Sequence, residues 1–195
     1  MRTALAHPVE LADFLRLARP DLAAHFRFDA AQPLGREVVT EDWRRREADL
    51  PFLIPFRRVD GGETAVQVYV LLEHQSAGDP LVPLRQLFLT VAHWNDQWQA
   101  WQDLPHPRAP LRLHPVLPIV LHTGERPWNT VTTLADLVDA PPELLPHLPV
   151  WEPVFWQLSA QDPAALLEGA PVARLLGVMA TFDRGQGGYE PAGGA

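Results

Sequence analysis

The sequence predicts one α/β domain, a mixed β-sheet flanked by helices. Two observations carry that expectation. Apolar runs with strand character, at 50–59, 65–75 and 116–121, are interleaved with stretches whose apolar residues recur every three or four positions, at 8–18 and 81–102. The 195 residues suffice for one hydrophobic core and are short for two, and the 21 prolines are scattered as punctuation between short elements. The domain is expected over residues 1–185, and the Gly-rich end, 186–195, is expected to be a disordered tail.

"PVELADFLRLA" (8–18) predicts a helix, with Leu11, Phe14, Leu15 and Leu17 or Ala18 on one face and proline in its first turn. "PDLAAHFRF" (20–28) can continue it beyond a kink. "GREVVTEDW" (35–43) suggests a first strand, followed by the very polar "RRREAD" (44–49). "LPFLIPFRRV" (50–59) and "AVQVYVLLEHQ" (65–75) are two further strands, and "DGGET" (60–64) between them is a hairpin turn. The second half of 65–75 is continuously apolar, as expected of a central strand covered on both faces.

After Gly78-Asp79-Pro80, "LVPLRQLFLTVAHWNDQWQAWQ" (81–102) predicts an amphipathic helix with Leu84, Leu87, Phe88, Val91, Trp94, Trp98 and Trp101 on its apolar stripe. At helical spacing those tryptophans are expected in the core or at a contact between two copies, rather than as a base-stacking platform. A homodimer is therefore expected. Val116–Leu121 is another strand, ended by Thr123-Gly124, and Trp128 of "GERPW" is expected to pack on the core. Residues 133–180 read as helical or irregular.

Composition narrows the function. The net charge is −8, which weighs mildly against a strong, sequence-independent grip on nucleic acid. All 16 basic residues are Arg, so no chemistry can rest on a lysine. Without cysteine there is no disulfide framework and no thiolate metal site. "MRTALAHPVELADF" has early acids and no long apolar run, so a cytoplasmic protein without a signal peptide or membrane span is expected. His93, His106, His114 and His122 have no ligand spacing and are expected at the surface or at strand ends.

Asp49 and Glu73 are the candidate chemical pair. If the Asp60–Thr64 turn pairs the two long strands, both fall at the same end of the sheet. Two adjacent carboxylates repel, and a divalent cation such as Mg²⁺ removes the conflict and can serve phosphodiester cleavage. Gln75, two residues on, projects to the same face as Glu73, and the backbone carbonyl of His74 can add a third ligand. On spacing alone a strand-end ion pair with the Arg44–Arg46 run remains the competing reading.

"RRREADLPFLIP", "YVLLEHQSAGDPLVPLRQL" and "PIVLHTGERPW" together resemble the recombination-promoting nuclease family, the YhgA-like transposases, over about residues 8–130. That resemblance implies membership of the PD-(D/E)XK phosphodiesterase superfamily and a restriction-endonuclease-like fold. It further implies Mg²⁺-dependent (or Mn²⁺-dependent) cleavage of DNA, linked to recombination or mobile elements. It implies that Asp49 is the strand aspartate, and that Glu73-His74-Gln75 is the E-x-K element in its E-x-Q form. Asp49 and Glu73 are then metal ligands with His74, and Asp49, Glu73 and Gln75 are catalytic. The family's upstream acidic segment has no counterpart here, which leaves Glu10 or Asp13 as a stand-in. Arg85 or Arg44–Arg46 is left to supply positive charge. The second expectation, from another class, is an inactive scaffold of the same fold acting as a binding or assembly module.

Overall fold

The computed structural model describes residues 5, 7–34, 49–73, 78–105, 110–124, 126–149 and 151–186; for 49–51, 69, 71–73 and 183–186 only the backbone is considered. The strand expected at 35–43, the polar run 44–48, His106 and the tail after 186 lie outside these residues.

Helix α1 spans Pro8–Ala18 and buries Leu11, Ala12, Phe14 and Leu15, as its periodicity predicts. Proline opens it because the first helical N–H needs no partner within the helix. A four-residue helix α2, Pro20–Ala23, follows directly. The strands are β1 (Gln32–Pro33), β2 (Asp49–Arg57), β3 (Glu63–Glu73), β4 (Val116–His122) and β5 (Val154–Gln157). Between β3 and β4 runs helix α3, Val82–Gln102, and after β5 come α4 (Pro163–Leu167) and α5 (Pro171–Gln186).

The described strands form one mixed sheet in the order β1-β2-β3-β4-β5, so the expected α/β architecture is present. β1, β2 and β3 are antiparallel neighbours, and β4 and β5 add in parallel to β3. The β2–β3 loop is residues 58–62, slightly earlier than "DGGET". Gly61 takes a positive φ of 84° there, and the Asp60 carboxylate accepts from the Gly62 N–H at 3.0 Å. β5 is a strand inside a stretch expected to be helical or irregular.

Strand alternation sorts the sheet into two faces. Phe52, Ile54, Val66, Val68, Val70, Ile119, Leu121 and Trp156 face a core closed by Leu11, Phe14 and Leu15 of α1, Leu166 of α4, and Val172 and Leu176 of α5. On the other face, Val120 packs with Val82 of α3, Trp128 and Phe155. Each fully buried aliphatic or aromatic side chain contributes on the order of 1.5–3 kcal/mol, so the first face supplies most of the stability.

Helix α3 corrects the expectation for its stripe. The side turned to the protein carries Val82, Arg85, Gln86, Leu89, Thr90 and His93, all buried. Leu84, Leu87, Trp94 and Trp101 are only half-buried, and Phe88, Val91 and Trp98 are exposed. The stripe is therefore not core. The inward polar groups have work to do: Gln86 donates to the Ile119 carbonyl at 3.3 Å, and Arg85 pairs with Asp79 at 3.3 Å. At the far end, Trp94 donates to the His114 carbonyl at 2.9 Å and Gln97 accepts from the His114 N–H at 2.8 Å. These bonds tie α3 to the segment entering β4.

Burial lowers the pKa of the His93 imidazole below its usual value, with Asp96 opposing in part. A depressed folded pKa means stability that is complete above the unfolded value of about 6.5 and is lost as pH falls toward the folded one. Melting curves at about pH 7.5 and about pH 5.5 should show a drop in Tm on acidification that is smaller in His93→Gln. An equal drop in both proteins would remove His93 as its source.

Candidate functional site

The chemistry-bearing positions gather at one edge of the sheet because β3, β4 and β5 are parallel. Each is an apolar strand that closes on a polar residue, and the register aligns those endings: Glu73 lies opposite His122, and His122 opposite Gln157. Carboxyl ends of parallel strands are where α/β sheets ordinarily place their sites. β2 runs the other way and begins at the same edge, with Asp49 opposite Leu71. Position 73 is thus two residues beyond the partner of Asp49, a diagonal neighbour of like parity. Such neighbours have Cβ atoms about 7–8 Å apart or somewhat less. Both backbone positions share the alternation of Val120, on the α3 side of the sheet.

His74 and Gln75 lie outside the described residues, and so do Arg44–Arg46. Among the described residues no group of three or more His, Cys, Asp or Glu side chains could hold a metal; the side chains at 49 and 73 are not among them. The backbone register thus leaves positions 49 and 73 at the same edge, with the same parity, one diagonal step apart.

The surroundings are better defined than the sequence suggested. His122 is a strand-end histidine as expected, yet it is 0 % exposed, and His93 is buried too. The His122 ring meets the Trp128 indole edge-on, at 5.2 Å and 82° between centroids and planes. Trp128 is fixed at three points. Its N–H donates to Gln157 Oε1 at 2.8 Å, its indole N–H donates to the Val131 carbonyl at 3.1 Å, and its ring lies 5.1 Å from that of Phe155. The expected core packing of Trp128 is therefore present, and it closes the edge beside His122. From sequence His122 is expected only as a surface or strand-end histidine, and Gln157 is not singled out; the signal available is that "PIVLH" and "VFWQ", like "YVLLE", end an apolar run on a polar residue.

The chain returning from Glu73 is pinned beneath the same indole. A Cβ at Gly78 would come within 2.7 Å of Thr130 Cγ2 and 2.9 Å of Trp128 Cδ2, closer than real Cβ contacts allow. Next to it, the Asp79 carboxylate accepts from the Leu81 N–H at 2.9 Å and meets Arg85 at 3.3 Å, with both side chains largely buried. Arg85 therefore does not stand as an exposed cation. Glu10 and Asp13 sit on α1, which packs on the opposite face, and Asp13 pairs with Arg16 at 3.0 Å. Gly78→Ala should lower stability by about 1–3 kcal/mol, since the buried indole must move. A urea midpoint unchanged from the parent protein would show that the loop gives way instead.

The fold and edge together define an α/β protein whose parallel strands present acidic and polar positions at one sheet margin. More specifically, the chain belongs to the family described as "Putative transposase, YhgA-like", whose model matches residues 1–185. No curated protein and no solved structure matches it significantly. Among the described residues no helix is long and apolar enough to cross a membrane.

Proposed function

We propose that this protein is a metal-dependent DNA endonuclease of the PD-(D/E)XK type, cytoplasmic, linked to recombination or mobile elements and working as a homodimer. Asp49 and Glu73 hold Mg²⁺ or Mn²⁺, with the His74 backbone carbonyl as a further ligand. When bound, the ion supplies charge neutralisation at the scissile phosphate and a more acidic water. Gln75, two residues after Glu73 in the sequence, orients the attacking water; it offers hydrogen bonds and no charge. Buried His122 and Trp128, with half-buried Gln157, form the wall that keeps the edge in place.

The observation that carries this reading is the backbone register, which brings positions 49 and 73 to one sheet edge as diagonal neighbours of like parity. The test is plasmid cleavage by purified protein with Mg²⁺ or Mn²⁺, against a chelated control and beside Asp49→Ala and Glu73→Ala. Cleavage surviving both substitutions would sink the site.

One observation favours a second reading, a binding or assembly module on the same scaffold. Arg85, a basic residue on this face, is already paired with Asp79 in the interior. Tight Mn²⁺ binding that depends on Glu73 would count against that alternative, and no cleavage together with Mn²⁺ binding indifferent to Glu73→Ala would select it.

A further inference from the structure

The "GERPW" turn carries a cation that the site described above does not use. Arg126 follows the carboxyl end of β4, His122, by four residues and is exposed. The chain on either side of it is held. Thr123 and Gly124 are buried as the chain leaves β4, and the Trp128 N–H donates to Gln157 Oε1 at the end of β5. Arg126 therefore rides a short bridge laid along the sheet margin, from one parallel strand end to the next. Pro127 has a fixed φ, and it restricts Arg126 before it to extended backbone. The guanidinium is presented from a rigid base.

Topology singles this arginine out. Among the described residues, the side chains of Arg57, Arg112, Arg126 and Arg174 stand outside any ion pair. Arg57 ends β2 and Arg112 precedes β4, which puts both at the opposite end of the sheet. Arg174 lies on α5, across the sheet on its other face. Of these, Arg126 stands at the margin that holds positions 49 and 73. The parallel register sets His122 beside Glu73, one inter-strand step of about 4.8 Å away. Chain length then keeps the Arg126 Cα within about 14 Å of that of His122, and within about 7 Å of that of Trp128. Each strand of DNA carries a phosphate about every 3.4 Å of helix axis. A duplex with one phosphate at positions 49 and 73 therefore brings others within reach of Arg126.

We infer that Arg126 binds the DNA backbone, holding a phosphate that flanks the one to be cut. This rests on the endonuclease reading for where the duplex lies, and it adds the cation that Arg85, paired inside, does not supply. A guanidinium meets a phosphate with two parallel N–H donors and stays charged at any working pH. A chain of net charge −8 with two carboxylate positions at this edge repels DNA unless a cation opposes them locally. A phosphate contact fixes the register of the duplex and reads no base. Arg126 accordingly sets affinity, and not sequence preference.

Fluorescence anisotropy with a labelled DNA duplex, in chelator so that nothing is cut, tests the contact on the full chain. Arg126→Gln should raise the dissociation constant by at least about fivefold and flatten the slope of log K against log salt by about 0.9. Arg126→Lys should recover part of that loss, because it restores the charge without the fork. Arg57→Gln and Arg174→Gln should bind within about twofold of the parent. Every one of these variants should keep the parent's Tm, since the side chains are exposed. In Mg²⁺, Arg126→Gln should raise KM for plasmid cleavage by a like factor, with kcat within about threefold of the parent's. An unchanged dissociation constant in Arg126→Gln, an equal loss in Arg174→Gln, or a parent that does not bind the duplex overturns the contact. Binding that falls with Arg126→Gln, in a protein whose parent cuts no plasmid, overturns the nuclease reading and keeps the contact.

Discussion

Glu73→Gln should reduce metal-dependent plasmid cleavage by at least about a hundredfold, because several kcal/mol of charge stabilisation at the phosphate are removed with its carboxylate. The substitution keeps the size and hydrogen-bonding reach of the side chain and removes only the charge. It therefore separates a metal-holding role from a strand-ending one. The strand carries its own control. Glu63 begins β3, ten positions away from Glu73, and pairs with Arg27 at 3.3 Å on the surface. Glu63→Gln should leave cleavage within about twofold, since exposed ion pairs contribute little and the opposite strand end lies roughly 30 Å away. Isothermal calorimetry with Mn²⁺ gives a readout besides turnover: binding should weaken in Glu73→Gln and not in Glu63→Gln. If Glu73→Gln cleaves within about threefold of the parent, a rate ratio worth under 1 kcal/mol, Glu73 is not a ligand.

What could be read from sequence follows the range of the forces involved. α1, the β2–β3 hairpin and β4 declare themselves through local period and turn chemistry, and they are present within a few residues of their expected bounds. β5 did not declare itself. Val154–Gln157 is four residues long, and "VFWQ" satisfies helical and strand templates alike; parallel pairing with β4, a non-local interaction, is what makes it a strand. The periodicity of α3 located the helix but not the direction it faces. That direction goes with bonds formed only in the folded chain, from Gln86 to the Ile119 carbonyl and from Arg85 to Asp79. The candidate site divides in the same way. Glu73 was visible as a charge at the end of an apolar strand, whereas His122 and Gln157 become its neighbours only through the parallel register.

Phe14→Ala should cost about 3–5 kcal/mol of stability, out of a total that is on the order of 5–15 kcal/mol for a domain. Phe14 is fully buried, and its ring meets Trp156 edge-on at 5.6 Å and 81°. It thereby joins α1 to β5, the shortest strand on the parallel side of the sheet. Its neighbours are Leu11 and Leu15 of α1 together with the sheet residues of the same core. A sheet face cannot collapse into the vacated space as a loop can, so the cavity persists and adds to the lost transfer free energy. Urea denaturation followed by tryptophan fluorescence should show a lower midpoint with an unchanged slope. Val9→Ala, on the exposed side of the same helix, should move the midpoint by no more than about 0.5 kcal/mol equivalent. A Phe14→Ala loss below about 1 kcal/mol would mean that α1 is not the clamp on β5, for no core cavity of that size is so cheaply tolerated. Because β5 carries Gln157, whose Oε1 accepts from the Trp128 backbone N–H at 2.8 Å, loosening it also loosens the wall beside His122. Phe14→Ala should accordingly lower plasmid cleavage near its melting range, while the rate well below that range stays close to the parent's, a pattern that a residue touching the phosphate would not give.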